Sequence, residues 1–105
     1  MDPQLKRGLL EACVLSVLCR GDSYGYQMLR DMSPHIQISE STLYPSLKRL
    51  ESTECVTVRS VEHNGRLRRI YSVTQTGRSK LLEFMQDWQQ VMSAYAFIKE
   101  GLSGD

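Results

Sequence analysis

The sequence contains no run of about 18 apolar residues, which excludes a membrane-spanning helix. Its first residues, Met1-Asp2-Pro3-Gln4, lack the basic segment followed by an apolar one that a secretory signal needs. Cysteine is scarce: Cys13, Cys19 and Cys55 are odd in number and form no Cys-x-x-Cys pair. That leaves reduced, mostly buried thiols in a cytoplasmic protein as the expectation. His35 and His63 stand apart from any Cys or carboxylate at metal-ligand spacing. No serine occupies a nucleophile elbow and no Gly-rich phosphate loop is present. With no acid, base, nucleophile or metal set, the expectation is a protein that is not an enzyme and holds neither cofactor nor metal.

A large excess of either charge is also missing, for the net is only +1 over 105 residues, but the charges are unevenly distributed. Residues 39–80 carry eight Lys/Arg against four Asp/Glu, a net of +4; residues 81–105 carry one Lys against four acids, a net of −3; the first 38 residues balance. The length fits one domain with a modest core, small enough that oligomerisation would help it.

Apolar residues from Gln4 to Arg20 recur at helical spacing and fill most of the arc, so this helix expects burial by more than its own small domain. Gly21-Asp22 ends it, and Ser23 is placed to cap a shorter second helix through about Met32, with Gly25 inside it as a site of close packing. Ser33-Pro34-His35 breaks that helix. A third helix follows, capped by Ser39, in helix–turn–helix order.

The rest of the chain is organised around this third helix. At about 100° per residue, Leu43, Leu47 and Leu50 form one apolar stripe, while Ser41, Tyr44, Pro45, Lys48 and Arg49 face away from it. Hydroxyls, a phenol and cations are the donors that meet phosphates and base edges in a DNA major groove. Taken alone, such a face is more often merely solvated. Pro45 breaks the local rule, because a Pro in a helix interior costs about 3 kcal/mol: either the helix starts late or the cost is tolerated.

Two β-branched, alternating runs, Cys55–Val61 and Arg69–Val73, flank Asn64-Gly65, a pair that favours a type I′ turn. This predicts a two-stranded wing with Arg66, Arg68 and Arg69 near its tip, placed for phosphate or minor-groove contact or simply for solvent. Thr74 can cap a final helix in which Leu81, Phe84, Trp88, Val91 and Tyr95 alternate three and four apart, with Met85 and Met92 widening the stripe. So much apolar surface on one helix predicts a dimer interface, or less often a helix folded back as core; residues 1–74 are then the DNA-binding domain and 75–105 the dimerisation helix and tail. The fold class is then α+β, mostly helical: a winged helix–turn–helix with a C-terminal dimerisation helix.

The motifs Gly21-Asp22-Ser23-Tyr24-Gly25-Tyr26, Ser39 to Glu51 with its Thr42-Leu43-Tyr44-Pro45 block, Gly65-Arg66, Arg69-x-Tyr71 and Thr74-x-x-Gly77 resemble those of PadR-family transcriptional regulators, of the short kind with a single C-terminal helix. The resemblance covers nearly the whole chain. It implies dimerisation through the last helix, with the first helix packing on the partner's so that Leu9 and Cys13 join the interface. It also implies repression by operator binding, relieved in many members by a small aromatic or cationic ligand or by other signals. The implied DNA-contact set is Ser23, Tyr24, Ser39, Ser41, Thr42, Tyr44, Pro45, Lys48, Arg49, Asn64, Gly65, Arg66 and Arg68. The chain departs from the family pattern at Glu54-Cys55, where relatives tend to carry Gly and an apolar residue, and in a wing without a Gly pair.

The expected partners are thus double-stranded DNA and a second copy of the chain. Trp88 is expected to face its symmetry mate across the two-fold axis. There it is either plain core or, with Met85 and Met92, the wall of a slot for a small aromatic effector. The reading from a different class is a winged helix serving as a protein-interaction module.

Overall fold

Asp2 starts the first helix: its carboxylate accepts the Leu5 N–H at 3.0 Å, and Pro3 occupies the first helical position, where a missing N–H is harmless. The computed structural model describes residues 1–104; Asp105, expected as part of the tail, lies outside the described residues. The elements are α1 (Pro3–Arg20), α2 (Gly25–Met32), α3 (Glu40–Ser52), β1 (Val56–His63), β2 (Arg66–Val73) and α4 (Gln75–Leu102). The core gathers Leu10, Val14, Leu15 and Leu18 of α1, Met28 and Met32 of α2, and Leu43, Leu47 and Leu50 of α3, closed by Cys55, Val56 and Tyr71 at the base of the wing. Cys55 is the buried thiol; Cys13 and Cys19 are half-buried.

Ser23 does not cap α2. The N-cap is Tyr24, with extended backbone and no side-chain capping bond. The Ser23 backbone instead pairs with Tyr71 of β2, donating at 3.2 Å and accepting at 2.8 Å, and the residue is buried. The turn between α1 and α2 is therefore stitched to the wing. Arg59 of β1 reinforces this, donating to Asp22 Oδ2 at 3.0 Å and to Ser72 Oγ. Hydrogen bonding by Arg59 and Ser72 holds the Asp22 carboxyl below the usual carboxylate range. A lowered folded-state value means the clamp stabilises above that range and is lost as the pH falls through it.

In α3, Ser39 and Thr42 form a reciprocal capping box. The helix does not start late: it begins at Glu40, so Pro45 lies inside it and the lost backbone bond is accepted. Leu43, Leu47 and Leu50 are fully buried, as their spacing predicts. Ser46 joins them, its hydroxyl satisfied by the Thr42 carbonyl at 3.1 Å. The helix ends in a Schellman motif, with Cys55 N–H on the Leu50 carbonyl at 2.8 Å and Glu54 N–H on that of Glu51 at 3.0 Å. This closure puts Glu54 at φ 62°, a left-handed conformation that favours glycine. Glu54→Gly is accordingly expected to stabilise the protein by about 1 kcal/mol. Urea denaturation reads this directly, and an unchanged or lowered midpoint would contradict it.

The wing strands are antiparallel, registered from Val56 opposite Val73 to His63 opposite Arg66. They run further towards the tip than their β-branched cores suggest, so Arg66 and Arg68 sit in the ladder instead of a loose tip. Asn64 and Gly65, at φ 52° and 78°, make the two-residue turn. Thr74 then caps α4 by accepting the Gly77 N–H at 3.1 Å. Leu81 packs on the core and Phe84 lies near Gly8 of α1; Trp88 is half-buried with its ring 5.9 Å from that of Phe84. The remainder of α4 projects outward, which accounts for an elongated molecule of 64 × 26 × 21 Å.

Candidate nucleic-acid interface

The side of α3 opposite its leucines presents Ser41, Tyr44, Pro45 and Lys48 to solvent. Tyr44 leans over the start of α2: a Cβ on Gly25 would lie 2.5 Å from the Tyr44 hydroxyl oxygen, so glycine is what lets the ring settle there. Tyr24, Tyr26, Tyr44, Lys48, Arg68 and Arg69 line a groove of about 650 Å³ between α2, α3 and the wing.

Two of the wing cations are oriented by neighbours. The Arg68 guanidinium carbon lies 3.9 Å from the centroid of the Tyr24 ring, a cation–π contact that holds the arginine at the groove edge. Arg69 bonds Glu51 Oε1 at 3.4 Å and lies 6.0 Å from the Tyr71 ring, bracing the wing against the end of α3. Arg66, Asn64 and Gly65 are exposed at the tip, together with Leu67, whose side chain no sequence argument had singled out.

Several expected contacts have other employment. Arg49 does not point away from the body: its Nε donates to Glu11 Oε1 at 3.2 Å and its terminal nitrogen to Ser46 Oγ at 3.0 Å. The physical reason is that Arg49 lies at the border of the apolar stripe, within reach of α1, where Glu11 needs a cation. Ser23 is buried, with its hydroxyl turned to the Tyr24 carbonyl. The Ser39 and Thr42 hydroxyls are engaged in the helix cap, Thr42 donating to the Ser39 carbonyl at 2.9 Å. Glu11 itself was not foreseen; its signal is a lone acid inside the apolar run Leu9–Leu18.

On α4, Met85, Val91, Met92 and Tyr95 are all at least half exposed, whereas Leu81, Phe84 and Trp88, like Leu9 and Cys13 on α1, are half-buried. Burial pushes the Cys13 thiol up, which favours its protonated form. A shallow apolar hollow of about 550 Å³ lies along α4 between Phe84, Met85, Trp88 and Met92.

Residues 14–83, comprising the helix–turn–helix, the wing and the start of α4, match the transcriptional regulator PadR-like family. The chain belongs to that family. It is 30% identical over 81 residues to a transcriptional regulator of Mycobacterium tuberculosis, covering 76% of each chain. It is 31% identical over 101 residues to an uncharacterized protein of Lysinibacillus sphaericus, covering 91% of this chain and 93% of that one. Among solved structures, a PadR-family transcriptional regulator from Eggerthella lenta superposes with a TM-score of 0.83 at 32% identity, covering 92% of this chain and 87% of the other. A PadR-like regulator from Bacillus cereus gives 0.77 at 28% identity, over 90% and 95%. As a PadR-like protein the chain is a DNA-binding transcriptional regulator of winged-helix fold, and not an enzyme. No helix among its described residues is long and apolar enough to cross a membrane.

Proposed function

We propose that this PadR-like protein is a cytoplasmic repressor that binds a palindromic operator as a homodimer. The observation that carries the reading is the two-sidedness of α3: its leucines are fully buried while Tyr44 and Lys48 stand exposed beside the wing cation Arg68. In the complex α3 lies in the major groove, with Ser41, Tyr44, Pro45 and Lys48 towards base edges and phosphates, while the Thr42 hydroxyl stays in the helix cap. The N-terminus of α3 faces a phosphate, which the positive end of the helix dipole favours. Tyr24 holds Arg68, and Arg66, Arg68 and the Asn64-Gly65 turn meet the flanking backbone or minor groove. Arg49 and Ser23 are omitted from this set, since both are engaged within the fold.

Dimerisation joins the exposed stripe of α4 to a second copy, with Leu9 and Cys13 of α1 packing on the partner. Residues 1–74 then read DNA and residues 75–105 pair the chains. Two-fold pairing sets the half-sites about one helical turn apart, roughly 34–36 Å. The apolar hollow beside Trp88 supports a small planar aromatic effector that alters the angle between the two α3 helices. Titration with planar aromatic compounds should quench Trp88 fluorescence and weaken operator binding together; quenching without a change of affinity removes the effector role.

Lys48 tests the α3 face. Lys48→Ala should weaken binding across sequences and reduce the slope of log affinity against log salt by about one ion, with the folded stability unchanged. An unchanged slope would remove Lys48 from the phosphate contacts.

A further inference from the structure

The acid that α1 carries into its buried face has no place in the interface just described. Glu11 is 8% exposed, and its two carboxylate oxygens are divided between two other helices. Oε1 accepts from Arg49 of α3 and Oε2 from Lys80 of α4, each at 3.2 Å. We propose that Glu11 is a positioning residue that fixes the angle between the recognition helix α3 and the dimerisation helix α4. The consequence for operator fit rests on the reading that α3 enters DNA.

Helices α3 and α4 each pack on α1 but scarcely touch one another. Their direct link is at one end: Thr74, the cap of α4, donates its N–H to the Cys55 carbonyl at 3.0 Å and its hydroxyl to the Glu54 carbonyl at 2.6 Å, both in the turn that leaves α3. That link is one pinned point, and the apolar contacts of Leu81 and Phe84 that also hold α4 carry no directional bond. Glu11 supplies a second, further along α4 at Lys80 and one turn back in α3 at Arg49, and two points define an angle.

Arg49 is stiffened for this task by its bond to Ser46 Oγ, whose own hydrogen is given to the Thr42 carbonyl. An apolar side chain at position 11 would pack with the neighbouring leucines without desolvating a carboxylate. Buried ion pairs add little net stability over such a replacement, and their best-attested use is to select one arrangement over others. In a dimer held through α4, that arrangement sets how far apart and at what tilt the two copies of α3 meet the half-sites.

The test compares the full-length protein with Glu11→Gln, Lys80→Met and the double variant. Backbone residual dipolar couplings report the orientation of each helix in the chain without DNA. Affinity for a duplex selected from a random pool, measured across salt, reports operator fit. In the parent protein one alignment tensor should fit α1, α3 and α4. In either single variant α4 should need its own tensor, and affinity should fall about tenfold with an unchanged salt slope. The double variant should be no worse than Glu11→Gln alone, which already loses the Lys80 ion pair together with the Arg49 one.

One tensor still fitting all three helices in the variants would overturn the proposal. So would a slope reduced by about one ion in Lys80→Met, because it would make Lys80 a phosphate contact instead. Lys80 is a partly exposed partner, so Lys80→Met keeps the test decisive should Glu11→Gln fail to fold. A parent protein that binds no selected duplex would defeat the DNA reading, while the couplings would still decide the role of Glu11.

Discussion

Gly77→Ala should lower stability by about 3 kcal/mol, because the added methyl has nowhere to go. A Cβ at this position would run into the Cys55 carbonyl oxygen and lie 2.9 Å from Val73 Cγ2. The carbonyl is backbone and already accepts the Thr74 N–H, so relief requires α4 to lift away from the base of the wing. The cap formed by Thr74 would be strained by the same movement. Thermal unfolding should drop by roughly 10–20 °C. Gly101 in the same helix is the control, since nothing lies within 4 Å of its would-be Cβ. There Ala should add up to about 1 kcal/mol through helix propensity. A Gly77→Ala melting point within a few degrees of the parent would contradict the close approach.

Truncation after Lys80 should have the second large effect, an aggregated or unfolded chain that binds no operator. Leu81 packs against the core, and the half-buried Phe84 ring lies against α1 near Gly8. Their removal would leave apolar surface of the small body open to water. It would also remove the stripe Met85, Val91, Met92 and Tyr95, whose exposure in one chain is the reason to expect a partner. Sedimentation and duplex binding check this together. A well-folded monomer that binds DNA normally would contradict both the packing and the dimer.

Period-3.6 and period-2 patterns carried most of the fold. Leu43, Leu47 and Leu50 are buried where their spacing puts them, and the Asn64-Gly65 turn adopts the positive φ pair its residues favour. The Thr42-Leu43-Tyr44-Pro45 block and Thr74-x-x-Gly77 pointed to the family because they encode tight geometry: Gly77 is read now as a requirement of close packing, where helix propensity alone would make it merely tolerable. The site was less legible because side chains at the border of a helical face are decided by tertiary partners. Arg49 and Lys48 are adjacent cations in the sequence, yet Arg49 is drawn inward by a glutamate 38 residues earlier while Lys48 stays exposed. Ser23 departs from its pattern for a related reason: a serine before a helix has the signature of a cap, but its backbone is claimed by Tyr71.

Selection of bound sequences from a random duplex pool, with the stoichiometry of the winning complex determined by sedimentation, tests the central claim most directly. The account predicts a palindromic consensus whose half-sites lie about one helical turn apart, bound by two chains per duplex. A pool that shows no enrichment, or a single half-site bound by one chain, would contradict it.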